Sequence, residues 1–306
     1  MKFLNLIRWK NLLILVLVQV LIKYALLEPF TTRTGLITTL KPLGFITLAL
    51  ATLCLAAAGY IINDIYDIEA DRINKPKQRI IGNGITEKTG TTWFIGLNVI
   101  GVLLGYLISY QIGNSDFFVI FIVISGMLYL YSAYLKKYLF IGNVIISLFV
   151  ALSILLVGLY ELLPGMNENN REVQLTFFDI ILDYSLFAFM INLVRELVKD
   201  IEDTRGDQMA NYQTISTKFG IPVATRVTFG LNLINTGLII AYLVTYFYKN
   251  NALVIYFLVL IIAPLLFISV RLIQAKEPSQ FGRISSLLKV VMFTGICSMI
   301  IFKITQ

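Results

Sequence analysis

The chain contains no histidine. That absence removes histidine general bases, Ser-His-Asp triads, HExxH zinc sites and haem held by histidine. Cysteine is nearly as scarce. Cys54 and Cys297, each inside an apolar run, make neither a zinc site nor a CxxC motif. Charge is scarce too: 14% of the 306 residues are charged and 58% are hydrophobic, and mean hydropathy is +0.80. Soluble domains average roughly 45–50% apolar and about 25% charged residues. A water-exposed surface cannot be built from this composition, which excludes a disordered chain, a disulfide scaffold and an ordinary cytosolic enzyme. The natural solvent for this chain is lipid. Its net charge of +7 reads as basic loops beside anionic lipid rather than as a nucleic-acid surface.

What is there is a series of long apolar runs. A bilayer core needs about 20 mostly apolar residues per helix. Nine segments qualify, roughly 11–27, 37–62, 91–110, 117–135, 139–159, 177–198, 222–247, 252–273 and 285–305. The first resembles a signal-peptide core, but Lys23-Tyr24 stands where a small-residue cleavage site would follow, so it is read as a span. The expectation is one all-α, polytopic membrane domain over 1–306. With nine spans, the N-terminus and loops 2/3, 4/5, 6/7 and 8/9 share one side. That side and its adjoining span ends hold 19 of the 25 lysines and arginines. The asymmetry predicts an integral protein of the cell's inner membrane, with its N-terminus in the cytoplasm. Lys23 and Lys41 then belong to the outer half and are expected to snorkel to the outer surface. Arg8, Trp9 and Lys10 read as an interfacial anchor, and Pro42 and Pro264 as kinks within spans.

Acidic residues are concentrated in two places. Loop 2/3 opens with Asn63-Asp64-Ile65-Tyr66-Asp67-Ile68-Glu69-Ala70-Asp71, and loop 6/7 with Glu196 followed by Lys199-Asp200-Ile201-Glu202-Asp203-Thr204-Arg205-Gly206-Asp207. Together they hold 9 of the 18 acidic residues. Four spans separate them, and an even number returns the chain to the same face. If the spans continue as helix, Asn63, Asp67 and Asp71 share one side, and Asp200, Asp203 and Asp207 share another. Rows of oxygen suit hard cations, and Mg²⁺ is commonly held by one or two carboxylates together with substrate phosphates. Two rows facing each other would hold Mg²⁺ on a diphosphate. Asp64 and Glu69 point away from the first row. Carboxylates placed at span ends on one side fit a secondary transporter less well than an enzyme, because transporter sites lie near the bilayer midplane.

The segment Asn63-Asp64-x-x-Asp67-x-x-x-Asp71, followed by Asn74-Lys75-Pro76, resembles the first signature of the UbiA-type intramembrane prenyltransferases. Lys199-Asp200-Ile201-Glu202-Asp203-x-x-Gly206-Asp207 resembles their second. Arg8-x-x-Asn11 and Tyr131-Ser132 with Leu135-Lys136 extend the resemblance along the chain. Within the family, NDIYDIEADRINKP over 63–76 and Arg195-Glu196 with Lys199 to Asp203 are most similar to the branch that alkylates a glycerol-phosphate hydroxyl, the digeranylgeranylglyceryl-phosphate synthases. The chain departs from that branch at Lys77-Gln78-Arg79-Ile80-Ile81-Gly82-Asn83-Gly84, where a second proline and a Ser-Gly are commoner.

The resemblance implies two pseudo-repeated halves, roughly 1–138 and 139–306, around a central cavity. It also implies Mg²⁺-dependent transfer of a prenyl group, geranylgeranyl in this branch, from an isoprenyl diphosphate to a lipophilic acceptor. The acceptor stays open between a prenylglyceryl phosphate and an aromatic precursor of quinone or haem biosynthesis. On this reading Asn63, Asp67, Asp71, Asp200, Asp203 and Asp207 bind metal. Lys75, Arg79, Lys136, Lys199 and Arg205 supply phosphate-facing cations, while Asn11, Asn192 and Arg195 line the substrate site. Tyr131 offers an aromatic face to an allylic cation. Tyr60, Tyr66 and Tyr134 lie near span ends as well, where aromatics also form interfacial belts.

Overall fold

The computed structural model describes residues 2–74, 76 and 79–305; Lys75, one of the expected phosphate-facing cations, lies outside the described residues. Among the described residues nine helices are long and apolar enough to cross a membrane. They are α1 (Trp9–Thr34), α2 (Pro42–Tyr66), α3 (Glu87–Gln111), α4 (Ser115–Ala133), α5 (Ile141–Leu162), α6 (Arg171–Glu202), α7 (Ile221–Tyr246), α8 (Asn251–Gln274) and α9 (Pro278–Thr305). No strand occurs among the described residues beyond an isolated bridge between Ile81 and Ile85. This is the all-α architecture that composition requires, because a backbone crossing lipid must satisfy its own hydrogen bonds.

The helices close into a ring. α2 packs along α3, α5 along α6, and α6 also against α7 and α9; α9 returns to α1, which touches α2 and α5. One apolar core, with Leu48, Phe121, Tyr160 and Ile181, ties α1, α2, α4, α5 and α6 together. A second, with Ile201, Leu265, Phe281 and Leu288, joins α6 to α9. The outward faces remain apolar, as at Leu43, Leu103, Val244 and Ile304. A helix that is hydrophobic all round needs lipid or protein on every side.

Two sequence expectations are corrected. Lys23 does not snorkel: its side chain is 0% exposed and donates to Glu161 Oε1 at 2.7 Å and to the Leu40 carbonyl at 2.7 Å. Glu161, equally buried, accepts from the Leu40 amide at 3.1 Å. This buried pair pins the α1–α2 connection to the end of α5. Pro42 does not kink a span; it opens α2, where its missing N–H costs nothing. Pro264 follows a π-helical stretch, Leu258–Ile262, that widens α8 where the proline removes a ladder hydrogen bond.

Candidate active site

α2 and α6 end in the same way. α2 stops at Tyr66, with Asp67 at φ −95°, ψ 8°, and α6 stops at Glu202, with Asp203 at φ −91°, ψ 6°. In each, the acid's amide still donates four residues back, to the carbonyl of Asn63 or Lys199. The acid four residues on, Asp71 or Asp207, donates its amide to the first acid's carbonyl. A short helix follows each break, Ile68–Asn74 and Thr204–Met209. The expected unbroken helix through Asn63, Asp67 and Asp71 is therefore a helix with one loosened residue. The loosening leaves the four-residue spacing intact, so the oxygens stay in a row.

The two short helices pack on each other. Asn74 joins them: its Nδ2 donates to the Asp203 carbonyl at 2.9 Å, and its Oδ1 accepts from the Gly206 amide at 2.9 Å. A β-carbon on Gly206 would collide with the Asn74 amide, so only glycine allows this approach. The result is one cavity of about 1330 Å³ lined by both acidic segments. Asn63, Asp67, Asp71, Asp200, Asp203 and Asp207 all reach it. So do Asn11, Arg79, Tyr131, Lys136, Asn192, Arg195 and Lys199. Arg205 does not: it is exposed, outside the cavity, because the turn at Asp203 rotates it outward while Gly206 and Asp207 turn in. Tyr60 lines the cavity, whereas Tyr66 and Tyr134 face outward, 38% and 58% exposed. Arg8 is more than an interfacial anchor. It lines the cavity, pairs with Asp64 Oδ1 at 2.9 Å and lies 4.9 Å over the Tyr60 ring. Asp64, expected to face away, lines the cavity through that pair.

Asp67 is met by three donors. Lys136 donates to its Oδ1 at 2.6 Å, Tyr212 to the same oxygen at 3.0 Å, and Asn63 Nδ2 to Oδ2 at 2.8 Å. Burial pushes the Lys136 ammonium down, Asp67 draws it back up, and the balance stays below the ordinary lysine value. Burial and then the Asp67 charge raise the Tyr212 phenol well above its ordinary value, so it remains a donor. On the second row, Asn143 Nδ2 donates to Asp200 Oδ2 at 2.8 Å. Glu196 accepts from Arg195 at 2.9 Å and from Lys199 at 2.8 Å.

Sequence reasoning missed Tyr212, Asn143 and Asn74. Tyr212 sits in a polar connection with no periodicity; what aims it is Asn211 at φ 55°, a left-handed residue that asparagine tolerates. Asn143 carried a readable signal, an amide at the start of an apolar span.

Among the described residues no three acidic side chains converge tightly enough to hold a metal by themselves. The donor set nevertheless suits a hard cation completed by phosphate oxygens. The Lys136 ammonium lies 2.6 Å from Asp67 Oδ1 and 3.4 Å from Asn63 Oδ1, so two row oxygens already converge on a positive charge.

Known proteins share this architecture. Residues 31–291 match the model of the UbiA prenyltransferase family. A digeranylgeranylglyceryl phosphate synthase of Saccharolobus solfataricus is 31% identical over 258 residues, covering 84% of each chain. The same enzyme of Methanosphaera stadtmanae is 29% identical, covering 81% of this chain and 85% of that one. Among solved structures, a digeranylgeranylglyceryl phosphate synthase in membranes superposes with a TM-score of 0.63 at 23% identity, over 98% of each chain. A UbiA homolog from Archaeoglobus fulgidus bound to DMAPP and Mg²⁺ superposes with a TM-score of 0.58 at 20% identity, over 98% of this chain and 99% of that one. With two acidic helix ends on one cavity in an all-helical membrane frame, the chain is an enzyme of the UbiA prenyltransferase family.

Proposed function

We propose that this protein transfers a geranylgeranyl group from its diphosphate to the hydroxyl of a prenylglyceryl phosphate, with Mg²⁺ as cofactor and the site open to the cytoplasm. The observation that carries the reading is the single cavity reached by both acidic helix ends, with cations beside them and apolar walls beyond. The relatives named above support the choice of acceptor, and the A. fulgidus homolog supports a prenyl diphosphate with a divalent metal. The matched backbone at Asp67 and Asp203 supports the pseudo-repeat of 1–138 and 139–306, with Asn63, Asp67 and Asp71 answering to Lys199, Asp203 and Asp207.

Asn63, Asp67 and Asp71 would hold one Mg²⁺, and Asp200, Asp203 and Asp207 another. When bound, the metal neutralises charge growing on the departing diphosphate. Lys136, Arg79 and Lys199 bring further positive charge, preorganised where the leaving group develops its own. Carboxylates alone would repel the donor. Asn143 and Tyr212 hold Asp200 and Asp67 in place through hydrogen bonds. The allylic C–O bond breaks and its electron pair leaves with the diphosphate; the acceptor oxygen bonds to the freed carbon, and its hydroxyl proton passes to the released diphosphate. Tyr131 and the apolar wall keep water from that carbon, and Tyr131 offers its ring face to the developing cation. Asn11, Asn192 and Arg195 orient the acceptor.

The test uses the full chain in lipid nanodiscs with geranylgeranyl diphosphate, Mg²⁺ and a panel of acceptors, read by mass spectrometry. A digeranylgeranylglyceryl phosphate product is expected. Asp67→Asn and Asp203→Asn should each lower diphosphate release by about 10²-fold or more. Product formed on hydroxybenzoate or dihydroxynaphthoate alone would overturn the acceptor. Wild-type turnover by either variant would overturn the roles of the rows.

A further inference from the structure

Below the acidic rows the cavity carries a second charged region, built from α1, α6 and α9, that the metal-binding rows do not use. Arg195 and Lys289 are its centre, and both line the cavity. Arg195 spends one nitrogen on Glu196 at 2.9 Å, while its Nε is buried with no acceptor. Lys289 Nζ hydrogen-bonds the neutral Oδ1 of Asn11, and the charged groups acting on it are Arg195, Lys10 and Arg8, all positive.

The charges do not cancel. Asp64 is taken by Arg8, and the one Glu196 carboxylate serves both Arg195 and Lys199. Setting aside the acidic rows above it, this leaves the region one positive charge on the Arg195–Glu196–Lys199 group and one on Lys289. An uncompensated cation and an unmet buried donor are both costly in a low-dielectric wall. A phosphate monoester carries about −1.5 to −2 near neutral pH and three acceptor oxygens, which matches the surplus of charge and of donors.

The position separates this region from the diphosphate. Arg195 precedes Asp200 by five residues on α6, about 7.5 Å along the axis. Lys289 follows Gly282 by seven residues on α9, about 10 Å, and Gly282 lies against the Glu202 carboxylate. A group held here sits a helical turn or two deeper than the acidic rows, toward the apolar part of the cavity.

We propose that Lys289, together with Arg195 and Asn11, forms a subsite for the phosphate monoester of the acceptor, distinct from the site of the donor diphosphate. This rests on the prenylglyceryl-phosphate reading above. Lys289 binds substrate through this phosphate and so selects phosphorylated glycerol ethers over their dephosphorylated forms and over singly charged aromatic acids.

Steady-state kinetics on the full chain in nanodiscs tests it, with geranylgeranyl diphosphate as donor and geranylgeranylglyceryl phosphate or geranylgeranylglycerol as acceptor. Lys289→Met should raise the KM for the phosphorylated acceptor about tenfold or more, keep the donor KM within twofold, and erase the preference for the phosphorylated acceptor. Lys289→Arg should keep that preference. Asn11→Asp, which neutralises the cation without removing it, should reproduce the Lys289→Met pattern if that variant fails to fold. Should the loss fall on the donor KM, or the preference survive in both Lys289→Met and Asn11→Asp, the subsite is wrong while wild-type product still upholds the reaction. If wild-type enzyme makes no product with the phosphorylated acceptor, both readings fall.

Discussion

Asp67 shows how single side chains set the state of this site. Its two oxygens are met by an ammonium, a phenol and an amide, so the carboxylate is aimed before any ligand arrives. The backbone beneath is set by an equally local contact, the seat of Asn74 against Gly206. Gly206→Ala would drive its methyl into the Asn74 amide and break both hydrogen bonds that tie the short helix after α2 to the one after α6. We expect this variant to fold, since the change lies outside both apolar cores, but to lose activity by about 10–100-fold through misplacement of the second row. Circular dichroism and diphosphate release measured on the same sample check it. Normal turnover would mean the two rows are positioned independently of Asn74.

At the scale of elements, the far side of the membrane is held by an ion pair in surroundings that disfavour charge. Lys23 sits in a π-helical stretch of α1, Ile22–Leu27, and meets Glu161 near the end of α5 with both side chains fully buried. The Glu161 carboxylate and carbonyl also bind the chain between α1 and α2, at Leu40 and Thr39. Removing Glu161 leaves the buried Lys23 ammonium with only a 3.6 Å contact to the half-exposed Glu28 carboxylate. Glu161→Gln should therefore destabilise the protein by about 3–5 kcal/mol, read as a lower unfolding midpoint in detergent. Adding Lys23→Met should recover part of the loss. A larger loss in the double variant would show that the pair contributes nothing specific and that packing alone matters.

For the whole molecule, parity governs function. Among the described residues nine helices are long enough to span, and the four crossings between the acidic segments bring the C-terminal ends of α2 and α6 to the same face, where one cavity is lined by both. The uneven distribution of lysine and arginine predicts that this face meets the cytoplasm. In a Cys54→Ser, Cys297→Ser background, single cysteines at exposed Lys88 and Lys249 report on opposite sides. A membrane-impermeant maleimide should label Lys88→Cys only in inside-out vesicles and Lys249→Cys in intact cells. The reverse pattern would invert the proposed orientation.

Much of this was legible in the residues themselves. Span number, the sidedness of loops and the meeting of two oxygen rows follow from apolar length, parity and helical spacing, all of which are local properties. Lys23 was legible as a lone charge in an apolar run, but its partner Glu161, just past the fifth expected span, was not. Tyr212, Asn143 and Asn74 reach the rows, and Lys289 reaches Asn11, only because packing sets how far each helix turns about its own axis and where each connection crosses the cavity mouth. Arg205 is turned away by the same cause. The sequence alone determined that this chain spans lipid and gathers its acids on one face, since periodicity and transfer free energy act residue by residue. Which cations and donors face those acids was decided by tertiary structure alone, since helix rotation is a property of contacts between elements distant in the chain.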